Sequence, residues 1–323
     1  MKVIVTDYTF PSLDLEAGVL EPLGCELVGM QCKTSAEAAA AVADADCVVT
    51  QFAPIDAGVI GAMRKARAIV RYGIGVDNVD LAAARERGIP VCNVPDFCID
   101  EVADHTLAFI LAATRNVVPN CLGVRGGEWR LAVPIEAMRT LRELTVGIVG
   151  FGRIGRAVAQ RLMPFGGRLL AHDPGVPGIE VTAAGVAPRQ LEALLAESDL
   201  ITLHCPATAA TRRMIDAAAI ARMKPGVILV NLARGALVDS AALVDGLQRG
   251  HISAAALDVF DPEPIPPGHP LLAMSNVVVA AHVSSASPKA VRRLRETVAH
   301  IVACCVRGQP LPNIVNGVTA RSG

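Results

Sequence analysis

The stretch Leu144 to Val149 is short and apolar. It runs directly into Gly150-Phe151-Gly152-Arg153-Ile154-Gly155 and then into a helical pattern from Arg153 to about Phe165. Such a stretch leaves the chain little freedom, because it asks for a buried strand, a tight glycine turn and a helix packed close behind. Gly150 permits the turn, Gly152 lets the backbone come near a ligand, and Gly155 lets the helix lie against the strand. Arg153 and Ile154 open a helix whose first N–H groups face an anion. The next apolar run, Arg168 to His172, ends on Asp173, 23 residues beyond Gly150. A carboxylate there can accept hydrogen bonds from ribose hydroxyls and would repel a 2'-phosphate. These features predict a dinucleotide-binding unit that prefers NAD to NADP.

The rest of the chain alternates short apolar runs with helical stretches. Runs at Val3–Val5, Glu26–Met30, Cys47–Thr50, Ala68–Tyr72 and Pro90–Val94 precede the motif. Those at Leu144–Val149, Arg168–His172, Leu200–His204, Val227–Asn231, Ala254–Leu257 and Val277–Ala280 form a second series of six. Alternation of this kind predicts βαβ units with parallel sheets. A helix over Asp100–Arg115 is expected to link two domains, and Ala36–Ala43 reads as a helix. The pattern turns helical again from Ser287-Pro288 to about Val306, too little for a domain, so this segment should pack back on the first sheet. At 323 residues, two domains are expected: 1–99 with 288–323, and 100–287. With 52% hydrophobic residues but only one Trp and two Tyr, the interior must be aliphatic, as parallel strands covered on both faces require.

A net charge of -1 provides no field for a nucleic-acid backbone or an anionic membrane, and neither partner is expected. The nine cysteines show no C-x-x-C spacing and read as reduced thiols, so no metal site and a cytoplasmic location are expected.

Ligands of open parallel sheets bind beyond the carboxyl ends of the strands. At those ends stand His204-Cys205-Pro206, Ala233-Arg234-Gly235, Asp258 and His282, with Glu263 in the proline-stiffened loop Asp261-Pro262-Glu263-Pro264. Reduction of a 2-keto acid needs an anion anchor that also polarises the carbonyl, a proton donor, and a group that keeps the donor charged. Arg234 offers a planar fork for a carboxylate, His282 can give and take a proton near neutrality, and Glu263 would favour its imidazolium form. Asp258 is placed to accept from a nicotinamide amide. Thr106, His204, Cys205, Pro206, Thr211, Ala233, Arg234 and His282 complete the expected cofactor lining. The side chains of His204 and the remaining histidines are read as structural.

On these residues the chain resembles the D-isomer-specific 2-hydroxyacid dehydrogenases. The matching stretches are Arg71 to Asp80, Val149 to Gly155, Val230 to Gly235, Ala256 to Phe260 with Glu263-Pro264, and His282. Phosphoglycerate dehydrogenases and the related C-terminal binding proteins are the most similar branches. The resemblance implies a flavodoxin-like substrate domain with an inserted Rossmann NAD-binding domain. It also implies Arg234, Glu263 and His282 as catalytic residues, and a homodimer. The loop of Arg71, Tyr72, Gly73, Ile74 and Gly75 would take the substrate carboxylate on backbone N–H groups, together with Arg234 and His282. Arg71 could meet a second anionic group. The sequence departs from the family around the histidine, where Ala281-His282-Val283 stands in place of the usual Pro-His-Ile-Gly.

The expected activity is NAD-dependent interconversion of a small 2-keto acid and its D-2-hydroxy acid, an oxidation at a CH–OH group. The expected substrates are 3-phosphohydroxypyruvate or another 2-keto acid with a second anionic end, then hydroxypyruvate or glyoxylate. The alternative is a corepressor-like NAD sensor with little turnover.

Overall fold

Each apolar run forms a parallel strand in the computed structural model, which describes residues 1–319. The chain divides into two units: Met1–Phe97 with the chain from Ser287 onward, and Cys98–Ala286. The expected boundaries thus move by one or two residues.

In the first unit, β1 (Lys2–Val5), β2 (Glu26–Gly29), β3 (Cys47–Thr50), β4 (Ala68–Arg71) and β5 (Val91–Cys92) form a parallel sheet in the order β2-β1-β3-β4-β5. This is the flavodoxin-like order. Val3 pairs with Cys47 and Val5 with Val49, so β1 lies in the interior, and β3 is buried along its whole length. The helix Pro288–Val306 completes this unit, as the sequence led us to expect, and packs on the helix Asp14–Leu20. Its start is fixed by Ser287, whose hydroxyl accepts from the Ala290 N–H at 2.9 Å, and by Pro288 at the first helical position. A buried ion pair joins the two helices, with Arg295 donating twice to Glu16, at 2.9 and 2.6 Å.

The second unit holds β6 (Thr145–Val149), β7 (Arg168–His172), β8 (Ala187–Pro188), β9 (Leu200–Leu203), β10 (Val227–Asn231), β11 (Ile252–Leu257) and β12 (Val277–Val279). All pairings are parallel, in the order β12-β11-β10-β9-β6-β7-β8. The sheet therefore has seven strands where six are legible in the sequence. The extra one, β8, is two residues long and ends in proline, which a sheet tolerates at its edge. The helix Ile99–Thr114, expected as a link between domains, belongs to this unit and packs on the helix Arg153–Leu162. Arg161 clamps the two by donating to Asp100 at 2.9 Å and Asp104 at 2.6 Å. Among the described residues no single helix is long and apolar enough to cross a membrane.

Candidate active site

The glycine loop lies between β6 and the helix Arg153–Leu162, and its glycines do different jobs. Gly150 has φ +93°, and a Cβ there would come within 2.6 Å of the backbone of His204 and Cys205 at the end of β9. At Gly155 a Cβ would meet the Gly150 carbonyl oxygen at 2.1 Å, so only glycine lets the helix sit this close to the strand. At Gly152 a Cβ would meet nothing within 4 Å, and no side chain caps the helix that starts there. The loop thus opens onto space at an uncapped helix N-terminus, where a pyrophosphate finds N–H groups and a favourable dipole. Asp173 lies beside it: one carboxylate oxygen accepts from the Phe151 N–H at 2.7 Å, the other from Gly175 at 2.8 Å. One of its lone-pair positions holds the glycine loop, a second closes the acid's own turn at Gly175, and the others are left for hydroxyl donors. These residues fit a dinucleotide.

The second half of the sheet brings Arg234, Glu263 and His282 together. Asn231, buried at the end of β10, accepts from the Ala233 N–H at 3.1 Å and donates to the Arg234 carbonyl at 2.8 Å, which shapes the turn carrying the arginine. A Cβ at Gly235 would lie 2.0 Å from the Phe260 carbonyl carbon, so glycine lets this turn press against the loop that carries Glu263. Glu263 accepts from the Phe260 N–H at 2.9 Å through Oε1 and pairs with His282 Nδ1 at 2.8 Å through Oε2. Burial alone would raise its pKa. The bonds from His282 and Phe260, with the charges of His282 and Arg234, outweigh burial and hold the carboxyl below the ordinary value. The histidine and glutamate side chains keep 33% and 36% of their surface, so the pair is open to a small ligand.

His282 sits at φ +53°, a conformation uncommon for a residue with a side chain, and Asp258 holds it there. The Asp258 carbonyl accepts from the His282 N–H at 2.7 Å, and its two carboxylate oxygens accept from Val283 and Ser284, each at 2.9 Å. Asp258 is fully buried, so the expected contact with a nicotinamide amide gives way to a positioning role. Asn231 and Asp258 could have been read as supports from their places at the ends of buried strands. The close approach at Gly235 leaves no such mark in the sequence.

Other expectations change for local reasons. Thr106 is wholly buried and its hydroxyl donates to the Val102 carbonyl at 2.7 Å, the common fate of a threonine inside a helix, so it offers no surface to a cofactor. The Thr211 hydroxyl closes its own loop on the Pro206 carbonyl at 2.7 Å. His204 flanks the glycine loop through its backbone, while its ring bonds Thr202 at 2.9 Å and burial pushes its pKa down to about 3, leaving it neutral. Burial likewise pushes the Cys205 thiol up to about 11.

The loop Arg71–Gly75 belongs to the first unit, at the carboxyl end of β4. The Tyr72 side chain is interior, its hydroxyl donating to Glu16 at 2.9 Å. Its N–H goes to the Thr50 carbonyl and that of Gly73 to the Arg71 carbonyl. Of the loop's remaining N–H groups, those of Ile74 and Gly75 have no backbone acceptor among the described residues. The Arg71 guanidinium lies over Gly73, where a Cβ would come 1.4 Å from Nη1, and 5.9 Å from the Phe52 ring centre.

The NAD binding domain of D-isomer specific 2-hydroxyacid dehydrogenases matches residues 107–284. A D-3-phosphoglycerate dehydrogenase of Mycobacterium tuberculosis is 40% identical over 278 residues, which cover 86% of this chain and 52% of that protein. The chain thus spans about half the length of this relative. A glyoxylate reductase of Korarchaeum cryptofilum is 43% identical over 278 residues, 85% of this chain and 84% of that one. Among solved structures, D-lactate dehydrogenase from Aquifex aeolicus, complexed with NAD and lactic acid, superposes with TM-score 0.87 at 27% identity, covering 99% of each chain. With its glycine loop, Asp173 and the Arg234, Glu263 and His282 set all in place, the chain is a member of the NAD-binding D-isomer-specific 2-hydroxyacid dehydrogenases.

Proposed function

We propose that the chain reduces a small 2-keto acid to its D-2-hydroxy acid, and catalyses the reverse oxidation. The observation that carries this reading is the 2.8 Å bond from Glu263 to His282 Nδ1 beside Arg234, in the unit that holds the glycine loop. With Nδ1 engaged, Nε2 is left to exchange a proton. Bound NADH supplies the hydride. Arg234 pairs with the substrate carboxylate and draws electron density from the carbonyl. His282 delivers its proton to the oxygen as the carbonyl becomes a hydroxyl, and takes it back in the oxidative direction. Glu263 keeps the imidazole aimed.

For the substrate, we favour a 2-keto acid with a second anionic end, such as 3-phosphohydroxypyruvate, with glyoxylate and hydroxypyruvate next. The cation at Arg71, set on a loop with the Ile74 and Gly75 N–H groups, supports the first choice. The phosphoglycerate dehydrogenase and glyoxylate reductase relatives agree with both. A panel of these acids with NADH ranks them: a doubly anionic winner whose advantage disappears in Arg71→Ala supports the assignment, and an advantage that survives the change refutes it.

A homodimer is proposed from Leu122, Trp129 and Ile135, which expose 61, 92 and 69% of their surface along one stretch of the second unit. Exposed apolar surface of this kind marks a partner site. Trp129→Glu should give monomers in sedimentation, and an unchanged mass would refute the assignment.

A further inference from the structure

The amino-terminal edge of the first sheet is a different place from the carboxyl edge that carries Arg71. Here the chain enters β4 through Arg64–Arg67 and β5 through Arg87–Pro90, and between them lies a cavity of about 810 Å³ walled also by Cys305 and the segment Gly308–Leu311. Four of its lining residues are cations, Arg64, Lys65, Arg67 and Arg87, and none is a carboxylate. Arg64 is paired with Asp44, and Lys65 with Asp46 at 3.3 Å. Arg87 spends its donors on the carbonyls of Ile60, Gly61 and Met63, which leaves its charge unneutralised. Arg67 has only the Met1 sulfur, 3.8 Å from Nη1, as a side-chain partner among the described residues.

Cys305 is one wall of this cavity, and its sulfur lies 3.1 Å from that of Cys47 at the start of β3. Disulfide sulfurs sit about 2.05 Å apart, so roughly 1 Å of approach would join the two. The pair is unequal. Cys47 donates to Cys305 and is held protonated by that bond and by burial. Cys305 is drawn toward the thiolate by the Cys47 hydrogen bond, against burial, with Arg67 adding to the pull. The proposed dehydrogenase chemistry uses neither thiol.

We propose that this cavity admits an anionic low-molecular-weight disulfide, that Cys305 exchanges with it, and that Cys47 resolves the product into an internal Cys47–Cys305 bond. The Cys305 thiolate attacks one sulfur of the disulfide, forming a mixed disulfide and expelling one thiolate. Cys47 gives its proton to that thiolate and attacks the Cys305 sulfur, expelling the second small thiolate, which takes back from water the proton that Cys305 had lost. Two protein thiols are oxidised and one disulfide is reduced to two thiols. The new bond ties β3 to the helix Pro288–Val306.

The test treats the full chain, saturated with NADH, with glutathione disulfide, whose carboxylates suit the cavity, and in parallel with cystamine, which is cationic. Alkylation and peptide mass mapping then locate the modified thiols. The expected result is a Cys47–Cys305 peptide with glutathione disulfide, and glutathione trapped on Cys305 in Cys47→Ser. Arg67→Gln should slow the glutathione disulfide reaction about tenfold and leave that of cystamine unchanged. Reaction confined to the exposed Cys121, or equal rates with the two disulfides, would overturn the proposal, and mapping of the unsubstituted chain decides it even if Cys47→Ser does not fold.

Discussion

Two carboxylates in this protein each hold a basic side chain, and they are built for opposite ends. Glu16 takes three hydrogen bonds, from Tyr72 and from both prongs of Arg295, and the ion pair keeps only 2% and 13% of its side-chain surface. Glu263 holds His282 by one bond and keeps about a third of its surface, as does the histidine. The first pair is closed around a permanent guanidinium and joins two helices. The second leaves a titratable ring facing outward on a backbone at φ +53°, held by Asp258. An ion pair made for structure has every donor satisfied and no access. One made for chemistry leaves a nitrogen uncommitted and relies on its surroundings for position.

The comparison breaks most sharply at the histidine. His282→Asn should cost about 10²–10⁴ in kcat, the usual worth of a general acid, with NADH affinity measured by fluorescence and the melting temperature little changed. Glu16→Ala should do the reverse, because it strands a buried guanidinium: a stability loss of about 3–5 kcal/mol in denaturant unfolding, with near-normal kcat for the molecules still folded.

Glu263→Gln is the gentler probe of the open pair. Losing a charged hydrogen bond should raise the barrier by about 1.5–3 kcal/mol, roughly 10–150-fold in kcat. Its pH behaviour sharpens the point. The carboxyl pKa is lowered from 4.5 in the fold, so its contribution is complete above that value and is lost only as pH falls through the lower folded one. A rate-against-pH profile should therefore show no loss from Glu263 until the medium is more acidic than an ordinary carboxylate requires. The smallest effect is expected at Asp173, where Asp173→Ala should shift the NAD over NADP preference by about 1–2 kcal/mol, roughly 5–30-fold, in paired kcat/KM measurements. An unaltered preference would show that this acid serves only the Phe151 and Gly175 N–H groups.

The parts of the fold legible in the sequence were those written in local pattern. Buried parallel strands read as aliphatic runs, and the strand, glycine turn, helix and acid around Gly150 each sit where a local rule places them. The edge strand Ala187–Pro188 was not legible, since two residues carry no periodicity. The residues proposed for catalysis could be named because strand ends in such sheets are where ligands bind. Their supports could not, because they depend on distances across loops. Asp258 reads as a candidate for the cofactor and turns out to hold the turn of His282, and Tyr72 reads as part of a binding loop while its ring and hydroxyl are interior. A residue type shows what a side chain can bond to; only the fold shows which of those bonds are already made.

The most direct test of the account is the fall in NADH absorbance with 3-phosphohydroxypyruvate, hydroxypyruvate and glyoxylate, run side by side on the unsubstituted chain and on His282→Asn. Steady turnover of at least one acid by the unsubstituted chain is expected, with near-complete loss in the variant and NADH still bound by both. Binding of NADH without turnover of any acid, or turnover that survives the loss of His282, would contradict it.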